Sequence, residues 1–243
     1  MSLESTTTRT VAHATRSALL CTALIVTIAV APGAAHKRNF AWTYDWFTPA
    51  PTEREIETWH TWDDADSSWE HLIEYEFSVT DRWGTGIYAI FEDAAGSGLD
   101  FAGWKWENRY RFGDFKPNRW LHAAYLEWKK QEGQPHELEA KWIVGRYAQD
   151  REALALNLVA ERELESGADV EWKLVGGWGR PVAERARLGA EAVAELSDDE
   201  YYVGPTFSYD PGTTQRIIGS ALVGLTDGSS DLKVRVLTEW EWF

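Results

Sequence analysis

The chain has 243 residues, with 39 Asp and Glu against 24 Lys and Arg, and carries 15 Trp but one Cys and one Met. A hydrophobic fraction of 44% is too high for a disordered chain, and a formal charge of −15 excludes a nucleic-acid binder, which presents a basic face. The only long uncharged apolar run lies near the N-terminus, so a bundle of membrane-spanning helices is excluded as well.

Residues 1–35 have the three-part form of a cleavable export signal. Arg9 and Arg16 supply the positive segment, Leu19 to Pro32 the apolar one, and Gly33-Ala34-Ala35 the small residues before a cut after Ala35. The competing reading is an uncleaved anchor, for which the run is short. Cys21 sits too early in the run to be a lipidated cysteine and leaves with the signal. The processed chain is then free of cysteine and must find its stability without disulfides; a closed barrel is one way. Residues 36–52, with Phe40-Ala41-Trp42-Thr43-Tyr44-Asp45-Trp46-Phe47, leave three readings open: an arm outside the fold, an extra strand, or a plug inside it.

From residue 53 onward the chain alternates with a period of two. Trp69, His71, Ile73, Tyr75, Phe77 and Val79 alternate with Glu70, Leu72, Glu74, Glu76 and Ser78. Trp104, Trp106, Tyr110 and Phe112 alternate with Lys105, Glu107, Arg109 and Arg111. A helix would spread these charges around its whole circumference, so the helical reading fails. Twelve segments of this kind are predicted, at 53–62, 68–79, 82–92, 99–112, 118–129, 135–147, 151–162, 168–179, 184–195, 200–209, 214–226 and 230–243. Separators such as Thr80-Asp81, Gly113-Asp114, Ser166-Gly167 and Asp210-Pro211-Gly212 carry turn chemistry. Strands of ~11 residues suit a tilted membrane-spanning strand and are about twice the soluble average. A soluble β-sandwich is the competing reading; its core would be aliphatic, its strands shorter and its Trp few.

The cleavable signal, the train of amphipathic hairpins and the aromatic end Leu237-Thr238-Glu239-Trp240-Glu241-Trp242-Phe243 resemble the outer-membrane β-barrel proteins of Gram-negative bacteria. The stretch Tyr75–Ala89, with its tight Val79-Thr80-Asp81-Arg82 turn, is similar to hairpins of small porin-like families. The resemblance implies an all-β, up-and-down antiparallel transmembrane barrel of about twelve strands over 53–243, in the outer membrane. It also implies contact with outer-membrane lipid and lipopolysaccharide, and a terminal aromatic, here Phe243, read by the barrel-assembly machinery. Phe243 stands one step out of phase with Trp240 and Trp242. A monomer is expected, without cofactor or metal.

The apolar face must look at lipid, because Arg or Lys at the bilayer midplane costs about 2–4 kcal/mol. Trp69, Trp83, Trp120, Trp128, Trp172, Trp178, Trp240 and Trp242 fall near strand ends, as interfacial Trp does. Trp120 and Trp128 are eight residues apart, roughly 20 Å of height at a tilt of about 40°. The charged face lines the interior: Glu55, Glu57; Glu70, Glu74, Glu76; Lys105, Glu107, Arg109, Arg111; Glu127, Lys129; Glu137, Glu139, Lys141; Glu171, Lys173; Arg185, Arg187, Glu191; Lys233, Arg235, Glu239, Glu241. Two readings compete: a narrow charged passage for small polar solutes or ions, and a structural barrel packed with paired charges. A third is a lipid-modifying enzyme at the outer rim, with His60, His71 and Ser68 near acids. No Gly-x-Ser-x-Gly, metal, phosphate-loop or nucleotide motif is present. The loop acids, such as Asp63, Asp64 and Asp66, either hold divalent cations that bridge lipopolysaccharide phosphates or simply keep the loops solvated.

Overall fold

The computed structural model describes residues 38–243 apart from 95 and 97; the expected signal, residues 1–35, lies outside the described residues. Twelve strands follow in chain order: β1 (Arg54–Asp63), β2 (Ser68–Thr80), β3 (Trp83–Asp93), β4 (Asp100–Phe112), β5 (Trp120–Gln131), β6 (His136–Tyr147), β7 (Ala153–Glu163), β8 (Glu171–Ala183), β9 (Ala186–Glu195), β10 (Glu200–Tyr209), β11 (Gln215–Gly224) and β12 (Leu232–Trp242). Each pairs antiparallel with its chain neighbour, and β1 pairs with β12, closing the barrel. Closure satisfies every edge, the requirement that lets a sheet cross a bilayer.

The strands form where the alternation predicts them, and the alternation decides the faces. In β2, Ile73 and Tyr75 are exposed while Leu72, Glu74 and Glu76 are buried. Apolar residues therefore cover the outside, and the core is the barrel interior. Trp69, Trp83, Trp120, Trp172, Trp178 and Trp240 are exposed on that outer surface. Trp128 packs edge-on against Trp104 at 4.4 Å between ring centres. Trp69, Trp128 and Trp172 lie toward one rim, here the loop end. Trp83, Trp120, Trp178, Trp240 and Trp242 lie toward the other, the terminal end, where β1 starts and β12 finishes.

Two local differences from the sequence-based expectation have clear causes. β8 runs on to Ala183 rather than stopping at 179, because Pro181 sits at a register shift against β9, where its missing N–H is tolerated. Only Glu184 and Arg185 remain for the turn, so Arg185 is not a lumen residue: it is exposed there and donates to the Pro211 carbonyl at 3.3 Å. Phe243 lies beyond the end of β12 and is exposed.

Residues 38–50 run through the interior and are almost wholly buried, with Phe40, Ala41 and Trp46 at 0–1% exposure. A thirteenth strand is impossible inside a closed ladder, since the wall has already spent its backbone donors and acceptors on neighbouring strands.

Candidate functional site

With no ladder to join, the interior segment is held by wall side chains. The Glu191 carboxylate accepts the N–H of Ala41 at 3.1 Å and those of Trp42 and Thr43 at 2.8 Å. Asn157 brackets Tyr44, accepting its N–H at 2.7 Å and donating to its carbonyl at 2.9 Å. The Tyr147 hydroxyl accepts from Trp46 N–H at 3.0 Å and donates to Asp45 at 2.9 Å. Arg109 donates to the Phe47 carbonyl, Arg216 to that of Arg38 and Arg235 to that of Ala41. Gly177 makes the room: a Cβ there would stand 2.8 Å from the Phe40 ring. Sequence reasoning missed Asn157 and Tyr147 altogether. Their only signal was a polar group in a mostly aliphatic inward row, Ala153, Ala155, Asn157, Val159.

The segment divides the lumen into two vestibules. The loop-end one is a cavity of about 260 Å³ bordered by Trp42 and Tyr44, with Lys105, Lys141, Lys173, Lys233 and Arg235 facing Glu70, Glu127, Glu139 and Glu195. Its lysines are paired: Lys105 with Glu127 at 3.4 Å, Lys141 with Glu139 at 2.7 Å, Lys173 with Glu161 at 3.3 Å, and Lys233 with Asp63 at 3.5 Å. Arg235 instead lies over the Trp42 ring at 3.7 Å and donates to Thr61 at 2.9 Å. The terminal-end vestibule, about 480 Å³, is bordered by Trp46, Phe47 and Thr48 and has Arg111, Arg151, Arg187 and Arg216 in its wall.

Glu74, Glu76, Glu107, Arg109, Glu127 and Glu191 are all buried inside the barrel, while Lys105, Arg111, Glu139, Lys141, Arg187, Lys233 and Arg235 are partly exposed within it. Register then lines up what the sequence scatters. Directly opposed residues on successive strands run Glu241, Glu55, Glu76, Gly86, Glu107, Glu127, Glu139, Glu161, Glu171 from β12 through β1 to β8. The row climbs from the terminal end to the loop end because the strands tilt. Like charges placed directly opposite repel, and most of the row carries its own counter-charge. Arg109 bridges Glu76 and Glu107 at 3.0 and 2.9 Å, and Lys105, Lys141 and Lys173 serve Glu127, Glu139 and Glu161. Gly86 stands in the row where a side chain would collide with the Glu74 carboxylate.

At the loop-end rim, His60 and His71 share a hydrogen bond between their Nδ1 atoms at 2.7 Å, with His71 stacked on Trp69. Ser68 and His71 lie on opposite faces of β2, since their separation is odd and the register is unbroken there. Among the described residues, no Ser–His pair is assembled at this rim.

No family model and no curated protein sequence matches the chain. Solved structures do. A KdgM porin in complex with disordered oligogalacturonate superposes with a TM-score of 0.60 at 10% identity, over 76% of this chain and 98% of that one. A second KdgM porin structure gives 0.57 over the same shares, again at 10% identity. An outer-membrane channel from Pseudomonas putida F1 gives 0.53 at 9% identity, over 88% of this chain and 100% of that one. The fold is thus that of porin-like outer-membrane β-barrels.

Proposed function

We propose that the protein is an outer-membrane channel for small polar solutes or ions, oriented with its loop end outward and its terminal end in the periplasm, and narrowed by residues 38–50. The carrying observation is the pair of charged vestibules on either side of a segment fastened by side-chain contacts and not by a strand ladder. A segment held this way can shift without breaking the barrel ladder, which a thirteenth strand could not. The Trp-bearing ends of the outer surface would sit at the two lipid interfaces, with lipid and lipopolysaccharide as the surrounding partners.

The KdgM porin's oligogalacturonate is an acidic oligosaccharide. Four of the five basic residues around the loop-end vestibule of this chain are paired with carboxylates, so that preference does not carry over, and the solute class is kept at small and polar. No enzymatic role is proposed, because the rim His pair faces away from Ser68. The second reading, a structural barrel that does not conduct, draws on the burial of Arg38, Phe40 and Trp46 at the waist.

The test is single-channel recording in a planar bilayer of the wild type and of the double variant Glu191→Ala/Asn157→Ala, with folding checked by heat-shifted gel mobility. Ion-selective steps in the wild type, enlarged in the variant, are expected. A folded barrel silent in both forms would leave the structural reading in place.

A further inference from the structure

The seam that closes the barrel brings several buried acids together. Glu55 faces Glu241 across β12 and Glu76 across β2, while Glu57 faces Glu239 and Glu74. Ligand oxygens of Glu55, Glu57 and Glu239 lie within 4.8 Å of one another, and Glu55 makes a second such group with Glu53 and Glu241. Each of these side chains is at most 2% exposed.

The second observation concerns individual atoms. Both Glu55 oxygens are buried with no hydrogen-bond partner among the described residues, and so are Oε2 of Glu57 and Oε2 of Glu239. The basic groups nearby are spent elsewhere or stand off. The Arg38 guanidinium is 3.6 Å from Glu57 and lies against the Tyr44 and Trp59 rings. Its backbone N–H takes Oε1 of Glu239, Arg216 is bound to Asp210, and Arg109 is bound to Glu76 and Glu107. An ionised carboxylate buried without a partner is far too costly to leave uncompensated.

We infer that Glu55, Glu57 and Glu239 bind a divalent cation of the calcium class, with both oxygens of Glu55, Oε2 of Glu239 and Oε2 of Glu57, which also faces Arg38 at 3.6 Å, as its protein ligands. Calcium takes six to eight oxygens in flexible geometry, mixing mono- and bidentate carboxylates, whereas magnesium keeps most of its water. A site built from one residue pair on β1 and one residue on β12 also pins the first strand to the last, the one ladder among the described residues between strands that are not chain neighbours. The ion therefore acts as a clasp on closure, a role independent of whether the lumen conducts.

The test uses the protein purified in detergent micelles, stripped with a chelator and dialysed against Ca²⁺ or Mg²⁺. Wild type is expected to retain about one Ca²⁺ per chain in preference to Mg²⁺, and Ca²⁺ is expected to slow its heat-driven unfolding about tenfold. Glu55→Gln and Glu239→Gln are nearly isosteric and relieve repulsion, so both are expected to fold, lose the bound ion and lose the Ca²⁺ response. Replacing the loop acids Asp63, Asp64 and Asp66 together by Asn is expected to leave both intact. The proposal is overturned if wild type takes up no Ca²⁺, or if uptake survives both Gln variants. It is equally overturned by a protonated-carboxyl infrared band in Ca²⁺-saturated protein that Glu55→Gln removes, which would mean that a proton neutralises the seam.

Discussion

Glu191 of β9 accepts the backbone N–H of Trp42 at 2.8 Å, joining residues 149 positions apart in the chain. The same carboxylate takes two further N–H groups of the interior segment, so the two oxygens of one wall side chain accept three consecutive N–H groups of a peptide that has no ladder. Replacing it by Ala would leave those donors buried and unpaired. With hydrogen bonds to a charged group worth about 1.5–3 kcal/mol each, Glu191→Ala is expected to cost at least about 3 kcal/mol. Glu191→Gln, which keeps one carbonyl acceptor, should cost less. Thermal unfolding in detergent measures both, and equal losses would contradict the role given to the charge.

Gly177 offers a complementary perturbation that removes no bond. Its missing side chain leaves the space taken by the Phe40 ring. Gly177→Leu is expected to push the interior segment aside and raise single-channel conductance while the barrel still shows heat-shifted mobility. A folded variant with unchanged conductance would separate the segment from the conducting path.

Arg109 and Arg111 are neighbours on one face of β4 but predict different outcomes. Arg109 is 1% exposed and bridges Glu76 and Glu107, so Arg109→Met strands two buried carboxylates and is expected to cost about 3–5 kcal/mol. Adding Glu76→Gln should recover part of the loss. Arg111 sits at the terminal-end mouth, donating to Thr48 at 3.1 Å and to the Asp81 carbonyl. Arg111→Glu is expected to change stability little and to shift the reversal potential in a salt gradient toward cations. Should the reversal potential stay fixed in a conducting variant, Arg111 does not face the ion path.

The outer face gives a prediction about location. Leu158 is near mid-height of β7, 45% exposed between inward-facing Asn157 and Val159. Leu158→Arg is expected to destabilise the barrel by about 2–4 kcal/mol in lipid vesicles, measured by urea unfolding. An exposed Leu on a water-soluble protein would tolerate the same change within about 0.5 kcal/mol, so a small effect would argue against lipid on this surface.

Much of the architecture was legible before any coordinates. Side chains on a strand alternate with a period of two, and charges such as Lys105, Glu107 and Arg109 recur with that period over lengths no helix tolerates. Strand number and inward or outward face both followed from this, with ends off by a few residues where turns and a bulge are ambiguous, as at Pro181 and Arg185. The interior segment was not legible in the same way. Phe40, Trp42, Tyr44 and Trp46 alternate with Ala41, Thr43, Asp45 and Phe47, a pattern that fits an extra strand as well as a buried plug. The decision rests on Glu191, Asn157 and Tyr147, which the chain contributes 100 to 150 residues later.

The sequence by itself determined that this chain closes a twelve-stranded wall with charge inside and aromatic residues outside, because alternation is a local property that each segment states alone. Only the tertiary structure decided which charges meet. Register between strands sets that Glu55 lies between Glu241 and Glu76, and that Arg109 falls to Glu76 and Glu107 rather than to Glu55. Register depends on turn lengths, bulges and closure acting together around the whole barrel, and a one-residue slip in any hairpin would have assembled a different interior from the same side chains.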